Sequence, residues 1–311
     1  ASVTFAELIE VLIDWPEVTA IGLHIEGLID VAAFSAAAAR ALSRGIPLIA
    51  LKVGTSVAGA ELALSHTGSL AGSRATYMAF FERLGIGVVD TVPRFLEAMK
   101  LAGAARVLPS RRIRAMTCSG GDAGLVADEA SRHGLTLAPL GPPETESLRA
   151  ILPSFATVQN PLDFTMALWD DAHKLRSCFQ ALTGLGTDTS LAVVDYPTPH
   201  RGQPEPTGFD AVVDAVIATA ATNEGCCTIV SVLPESLPLR TRERALAVGV
   251  PPLQGLGDAF AAIAACAAVR ERAEEVLAHG ADQSLLRCAP LPLRRGTVRL
   301  VDEARSKTLL R

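Results

Sequence analysis

Short apolar runs of strand length alternate with stretches of helical periodicity along most of this chain. In the first third of the sequence, strands are predicted over residues 20–25, 48–53 and 87–89. Helices are predicted around and between them, over residues 5–15, 31–43, 74–84 and 94–101. Because strands that alternate with helices form parallel sheets with helices on both faces, the sequence predicts an α/β fold.

The same pattern starts again after residues 108–112, a stretch with Pro109 and a charged pair that we interpret as a linker. Further strands are predicted over residues 113–118, 135–140, 191–196 and 227–233, and further helices over 144–152, 172–182, 209–221 and 257–275. A helix of about three turns is also predicted after the turn at residues 119–121, ending at His133 and Gly134. A chain of 311 residues also exceeds what one hydrophobic core usually serves. We therefore expect two domains, residues 1–108 and 109–288, followed by a linker over 289–311.

Composition argues against several functional classes. The net charge is -5 and the arginines are scattered rather than clustered, which argues against a nucleic-acid partner or an anionic membrane surface. The longest wholly apolar run, residues 259–269, is shorter than the ~20 residues that span a bilayer, and no targeting signal is visible. Small molecules are the expected partners.

The cysteines and histidines do not form a recognisable metal site. The six cysteines lack C-x-x-C spacing, and several lie in apolar patterns, where cysteine acts as a small hydrophobic residue; they are Cys118, Cys178, Cys226, Cys227, Cys266 and Cys288. His24 and Glu26 spell H-x-E, but no P-C-x-x-C follows, so a zinc deaminase is excluded. The remaining candidates have helix-end or surface interpretations: His133, His173, His200 and His279. We predict no metal ligand and a reducing, cytoplasmic location.

The segment SHTGSLAGS, residues 65–73, is the first candidate site. Gly68 and Gly72 disfavour regular structure there, and the hydroxyl side chains compete for backbone hydrogen bonds, so His66 is expected on a loop. This loop follows a predicted strand, and ligands bind at the carboxyl edge of open α/β sheets. A solvated loop histidine is the alternative that the residues alone leave open.

The turn after the strand at residues 113–118 is the second candidate. Ser119, Gly120 and Gly121 lead into a helix through Asp122 and Ala123, and the first backbone N–H groups of a helix attract anions. The alternative is a tight turn without a ligand, because glycine-rich turns are common. Asp122 would compete with a phosphate unless its carboxylate points away.

Two further groups of polar residues could be structural or functional. Glu26 lies at the end of its predicted strand beside Gly27, where its side chain can reach over the sheet edge or remain solvated. Asn160 and Asp163, in the segment NPLDFT, form either a turn or a site, and the turn is the better interpretation because Asn-Pro initiates turns and Asp bonds nearby backbone.

Four segments together resemble the nucleoside-diphosphate-forming acyl-CoA synthetases, the superfamily that includes succinyl-CoA synthetase. KVGTSVAGAELALSHTGSLAGS, residues 52–73, resembles the phosphohistidine loop of that family, and AIGLHIEG, residues 20–27, resembles the strand whose glutamate supports the histidine. Residues 113–130 resemble the phosphate-binding turn of the next domain, and NPLDFT resembles the NPxD segment. The motifs occur in family order and cover roughly residues 1–275.

The resemblance implies two tandem flavodoxin-like, three-layer domains and an ADP-forming acid–CoA ligase. It implies that His66 carries phosphate on a loop hinged at Gly68 and Gly72, that Glu26 accepts a hydrogen bond from the imidazole, and that residues 119–123 bind phosphate. It also implies ATP/ADP, Mg and CoA, whose main binding domains would be a CoA-binding domain and an ATP-grasp domain in the same polypeptide or in other subunits. A small carboxylic acid substrate and an oligomer are the further expectations.

Some parts of the family pattern are missing from this sequence. It has no G-x-G-x-x-G and no Walker A motif, and residues 299–311 resemble the opening helix of an ATP-grasp domain that does not follow. We therefore expect a fragment whose first sheet lacks its opening strand and has an open edge. The rival hypothesis is a ligand-binding or regulatory module, as in relatives fused to an acetyltransferase. A flavodoxin-like electron carrier is disfavoured because only two Trp and two Tyr are present.

Overall fold

A computed structural model describes residues 3–56, 58–59, 74–169, 171–184, 186, 188–197, 199 and 207–279. Its first part contains three strands: β1 (Ile21–Ile25), β2 (Leu48–Lys52) and β3 (Gly87–Val89). The helices around them are α1 (Phe5–Leu12), α2 (Val31–Ser43), α3 (Arg74–Leu84) and α4 (Val92–Ala104). The strands form a parallel sheet in the order β1-β2-β3.

Local signals set most of these helix bounds. Thr4 and Glu7 form a capping box that begins α1, and the Asp30 carboxylate accepts a hydrogen bond of 2.9 Å from the Ala33 N–H and begins α2. The predicted first helix was too long, since it ran to residue 15 and α1 ends at Leu12. Trp15 precedes Pro16, and the proline ring sterically disfavours helical geometry at the residue before it.

The second part of the chain forms a larger parallel sheet. Its strands are β4 (Arg112–Thr117), β5 (Thr136–Leu137), β6 (Leu162–Asp163), β7 (Thr189–Val193), β8 (Cys227–Ser231) and β9 (Pro252–Gln254). The order is β5-β4-β7-β8-β9, and β6 pairs with the carboxyl end of β4. The helices are α5 (Gly120–Arg132), α6 (Pro142–Ile151), α7 (Ala172–Thr183), α8 (Asp210–Ala220), α9 (Leu239–Leu246) and α10 (Leu256–His279). Two single 3₁₀ turns, Met166–Leu168 and Pro234–Ser236, lie in connecting segments.

The predicted α/β fold class, with parallel sheets, is confirmed. Three elements were not predicted: β6, β9 and α9. The two strands are only two and three residues long. Runs of that length are too short to show a periodicity, so pairing with β4 and β8 decides their conformation. Conversely, the strand predicted over residues 135–140 is regular only at Thr136–Leu137.

One apolar core connects the two sheets. It joins Ile49 and Val89 of the first sheet to Ile113 and Leu191 of the second through the side chains of α4 and α10. We predicted that the last long helix would close the second domain, whereas α10 packs on α4 and β3 as well as on β9. The predicted boundary between residues 108 and 109 stays a prediction.

Gly87 is required where α10 crosses β3. A Cβ atom at this position would lie 2.8 Å from Ile49 Cδ1 and 2.9 Å from the Ala265 carbonyl oxygen. Both distances are shorter than van der Waals contact, so any side chain would push α10 away from the sheet.

The described cysteines are free, and Cys178, Cys226, Cys227 and Cys266 are buried. Burial raises the pKa of Cys178 to about 12, which fits the interpretation of the buried cysteines as small hydrophobic residues. Among the described helices, none is both long and apolar enough to span a membrane.

Candidate functional site

The carboxyl ends of β1 and β2 place Glu26 and Lys52 next to each other. The two strands are in register with Ile25 opposite Lys52, and the ladder continues with a hydrogen bond of 3.1 Å from the Val53 N–H to the Ile25 carbonyl. Glu26 is the first residue after β1 and is half-buried. Glu26 therefore lies at the carboxyl edge of the sheet, as the sequence predicted.

Lys52 is a buried cation at this edge, with a relative exposure of only 5%. Its ammonium donates a hydrogen bond of 2.9 Å to the Glu26 carbonyl and a second one to the Val53 carbonyl. The ammonium also lies 4.6 Å from the ring centroid of Tyr77. Burial lowers the pKa of Lys52, and the Glu26 carboxylate partly opposes that shift.

Lys52 was not predicted as a site residue. The available signal was a lysine that ends the otherwise apolar strand run PLIAL, where a solvated position would usually be assumed. A buried lysine requires partners for its charge, and such partners cluster at functional sites.

His66 lies outside the described residues, together with Gly68 and Gly72. The described chain stops beyond β2 and resumes at Arg74, where α3 begins. The pairing of His66 with Glu26 and the hinge role of the two glycines therefore stay predictions.

The predicted phosphate-binding turn lies at the carboxyl end of β4, where Ser119 caps α5. Ser119 Oγ accepts hydrogen bonds from the N–H groups of Gly121, at 3.2 Å, and Asp122, at 3.5 Å. The Ser119 carbonyl accepts the N–H of Ala123 at 3.0 Å. An anion at this turn would have to compete with Ser119 Oγ for two of these donors, so phosphate binding there stays a prediction.

Three carboxylates surround this turn. Asp122 Oδ2 accepts a hydrogen bond of 3.3 Å from the Thr117 hydroxyl, and Asp163 Oδ1 accepts one of 2.9 Å from the Thr165 N–H. Asp195 accepts the N–H groups of Val232 and Leu233 at 3.0 and 3.2 Å. The Asp122 carboxylate therefore bonds the strand end and remains within the negative cluster.

The cluster changes the acidity of its members. Burial raises the pKa of Asp122, and the charges of Asp195 and Asp163 raise it further, whereas the Thr117 hydrogen bond lowers it. Burial and the nearby Asp122 also raise the pKa of the Cys118 thiol. Among the residues with described side chains, no group of three or more His, Cys, Asp or Glu is arranged to hold a metal ion.

Asn160 acts as a structural bridge, as the turn interpretation favoured. Its side-chain amide donates hydrogen bonds of 2.8 Å to the carbonyls of Ile113 and Ala138, and its Oδ1 accepts the Ala115 N–H at 2.9 Å. These contacts join β4 to the segment that follows β5. Asn160 therefore supports the sheet rather than a ligand.

A cavity of about 630 Å³ lies beside the glycine turn. One wall is the small-residue face of α5, including Gly120 and Gly124, and another includes Asp163 and Thr165. Thr165 has φ 65° and ψ 158°, a backbone conformation that residues other than glycine rarely adopt. The cavity and the acidic turn thus form one continuous feature at the edge of the second sheet.

Comparison with known proteins identifies relatives of the chain. Residues 1–102 match the model of a family described as the succinyl-CoA ligase-like flavodoxin domain. The acetate–CoA ligase (ADP-forming) II subunit alpha of Pyrococcus furiosus is 37% identical over 198 residues, which are 64% of this chain and 43% of that protein. An ADP-forming acetate–CoA ligase of Methanocaldococcus jannaschii is 34% identical over 163 residues, 52% of this chain and 23% of that protein. The chain spans less than half the length of these two relatives.

Solved structures with the same fold are also known. PH0766 from Pyrococcus horikoshii OT3 is 26% identical and superposes with a TM-score of 0.69 over 87% of this chain and 57% of its own. An acetyl-coenzyme A synthetase 1 of Ca. Korarchaeum cryptofilum, solved with phosphate and ADP, is 23% identical, with a TM-score of 0.72 over 89% of this chain and 58% of its own. Residues 1–102 therefore match a succinyl-CoA ligase-like flavodoxin domain, and the chain is similar to ADP-forming acetate–CoA ligases over 52–64% of its length.

Proposed function

We propose that this chain is the phosphate-carrying part of an ADP-forming acid–CoA ligase. The proposed reaction converts a carboxylic acid, CoA and ATP to acyl-CoA, ADP and phosphate. The observation that supports it most directly is the position of Glu26, at the carboxyl edge of the first sheet and beside the end of β2. The SHTG segment follows β2 in the sequence, and the proposal is that its histidine approaches the Glu26 carboxylate.

The proposed chemistry consists of three displacements. A nitrogen of His66 attacks the γ-phosphorus of ATP, the N–P bond forms, and the P–O bond to ADP breaks. A carboxylate oxygen of the acid then attacks the phosphorus, which forms the acyl phosphate and frees the imidazole. Finally the CoA sulfur, having lost its proton to the medium, attacks the acyl carbon and releases phosphate.

Glu26 has a supporting role in this scheme. Its carboxylate accepts a hydrogen bond from one imidazole N–H, which fixes the tautomer and leaves the other nitrogen free to attack phosphorus. When the imidazole carries phosphate and is positively charged, the same carboxylate stabilises it. Such a group changes the rate of transfer without being chemically consumed.

The remaining parts of the enzyme are proposed to lie outside this chain. ATP/ADP with Mg and CoA would be held by an ATP-grasp domain and a CoA-binding domain, in the same polypeptide or as other subunits of an oligomer. The name of the Pyrococcus furiosus relative is that of a subunit, whereas the name of the Methanocaldococcus jannaschii relative carries no subunit designation. Both arrangements therefore have a precedent among the relatives.

The acid is proposed to be a small carboxylic acid. The names of the relatives include acetate, 4-hydroxybutyrate and trans-feruloyl-CoA, so the family accepts acids of different size and polarity. A panel of acids, with ADP release as the readout, would identify the substrate of the complete enzyme.

The test of the proposal is labelling of the complete enzyme with ATP that carries radioactive γ-phosphate. We expect acid-labile label on the wild type and none on His66→Ala, together with loss of turnover. His24→Ala is the matched control, because His24 is exposed on β1, two residues from Glu26. Label that survives His66→Ala would contradict the proposal and would favour the ligand-binding or regulatory module.

A further inference from the structure

We propose that Lys52, together with Tyr77, is a positioning residue that holds Glu26 at the phosphate-carrying edge of the first sheet. This inference rests on the proposed function, because Glu26 has a task only if a phosphohistidine forms. Lys52 itself touches no reacting atom in this scheme. It acts through the backbone and the charge of Glu26.

Lys52 occupies an unusual position for a lysine, inside a buried strand of a sheet. All five residues of β2 are buried, and Lys52 is 5% exposed although its side chain carries a charge. Burying an ammonium is costly unless it is paired or hydrogen-bonded. A residue retained at such a cost requires a compensating role, and an apolar side chain would fill the same space more easily.

The Lys52 ammonium contacts backbone carbonyls at the ends of both strands. It donates to the carbonyl of Glu26, beyond the end of β1, and to the carbonyl of Val53, beyond the end of β2. These are the first carbonyls past the paired ends of the two strands. The ammonium therefore ties the two strand ends together at the residue that carries the proposed catalytic carboxylate.

Tyr77 completes the arrangement from α3. Its ring centroid lies 4.6 Å from the Lys52 ammonium, within the range of a cation–π interaction. Its hydroxyl accepts a hydrogen bond of 3.2 Å from the N–H of Leu28, two residues after Glu26. The backbone around Glu26 is thus held on both sides, at its own carbonyl by Lys52 and at Leu28 by Tyr77.

These contacts also connect both flanks of the histidine segment to Glu26. Lys52 and Val53 precede that segment, and Tyr77 lies in the first turn of α3, which follows it. One cluster of side chains therefore fixes the two points between which the segment runs, relative to the carboxylate it would approach. This placement is what a positioned acid–base group requires, because an error of about 1 Å at a reacting centre can cost 10²-fold in rate.

The charge of Lys52 has a second consequence. A phosphoryl group on His66 would be negatively charged, and the nearby Glu26 carboxylate would repel it. An ammonium beneath the same edge offsets that repulsion, and it is effective because electrostatic interactions are stronger in a partly desolvated site than in water. Glu26 and Lys52 are therefore expected to act as a coupled pair.

The experiment is a double-mutant cycle in the complete enzyme, with the single-turnover rate of phosphorylation by labelled ATP as the readout. Lys52→Met should slow phosphorylation on the order of 10- to 10²-fold in the wild-type background, but less than about 3-fold in the Glu26→Gln background. A merely structural lysine would slow both backgrounds by the same factor. Lys100→Met is the matched control, since Lys100 bonds Glu97 and Gln254 and lies away from this edge.

Tyr77→Phe provides a second arm in case Lys52→Met does not fold. This variant keeps the ring and removes only the hydroxyl that holds Leu28, so a smaller slowing with the same dependence on Glu26 is expected. Equal slowing in both backgrounds, or no slowing by either variant, would overturn the role of Lys52 and Tyr77 alone. Absence of label on the wild type would overturn both this inference and the proposed function.

Discussion

The carboxyl edges of the two parallel sheets differ in charge. At the first edge, the buried ammonium of Lys52 lies beside the carboxylate of Glu26. At the second edge, Asp122, Asp163 and Asp195 surround the glycine turn, and their mutual repulsion contributes to the raised pKa of Asp122. Both edges have the strand-end geometry that binds ligands in open α/β folds.

The comparison shows that strand-end geometry alone does not decide where an anion is favoured. A helix N-terminus attracts an anion with about 0.3–1 kcal/mol at an exposed site, and nearby carboxylates oppose it with interactions of similar size. The first edge already supplies a fixed cation, whereas the second would need its N–H donors released from Ser119. We therefore expect phosphate to be carried at the first edge and to approach the second only during transfer.

The largest effect is expected from Gly121→Asp, which would add a carboxylate to the acidic turn. Phosphate transfer through His66 should be abolished while the domain stays folded, because the turn would repel the phosphoryl group. Gly121→Ala is the control, since a Cβ there lies 3.4 Å from Ser119 Oγ, an ordinary contact. The measurement is transfer of labelled phosphate, with circular dichroism to check folding; unchanged transfer in Gly121→Asp would remove the second edge from the site.

A smaller loss is expected from Glu26→Gln at the first edge. The glutamine keeps the size of the side chain but offers a neutral, weaker hydrogen-bond acceptor, so label from ATP should still appear, about 10² to 10⁴ fold more slowly. Glu17→Gln is the control, because Glu17 is exposed and distant from the strand end. Equal phosphorylation rates in the wild type and Glu26→Gln would show that the charge at the first edge does not matter.

Asn160→Ala should act on stability rather than on chemistry. It would leave the Ala115 N–H and the carbonyls of Ile113 and Ala138 without their partner, which we expect to cost about 2–4 kcal/mol of unfolding free energy. Urea unfolding would measure this loss, with the exposed Gln159→Ala as the control. Normal stability combined with lost activity would instead place Asn160 in the site.

The smallest effect is expected from Asp122→Asn. The pKa of Asp122 is raised above its ordinary value of 3.8 in the folded protein, so the folded state binds the proton more tightly than the unfolded state. The stability associated with the protonated carboxyl is therefore present below that value and is lost as pH rises through the folded pKa. At neutral pH the charged carboxylate is destabilising, and Asp122→Asn should raise the thermal midpoint.

This stabilisation should shrink as the pH is lowered through the raised pKa of Asp122, because the carboxyl binds its proton there. Thermal unfolding at several pH values would measure it, and Asp128→Asn on the exposed side of α5 is the control. A stabilisation that did not vary with pH would mean that the pKa of Asp122 is not raised in the folded protein.

The sequence by itself determined the elements that depend on local chemistry. The bounds of α2 and α3 were predicted residue for residue, because α2 begins at the Asp30 cap and ends before Gly45, whose φ of 71° suits glycine. The sequence also located Glu26 and the turn at Ser119 at strand ends, since a strand that runs into a glycine is visible without any long-range contact.

Only the tertiary structure decided the features that depend on contacts between distant segments. The sequence showed Lys52 as the end of an apolar run and Asn160 as the start of a turn. The fold brought Lys52 to Glu26, 26 residues away, and Asn160 to Ile113, 47 residues away. It also placed α10 against both sheets. A polar group that leaves water must find a partner wherever the fold supplies one, and that partner is fixed by packing rather than by neighbouring residues.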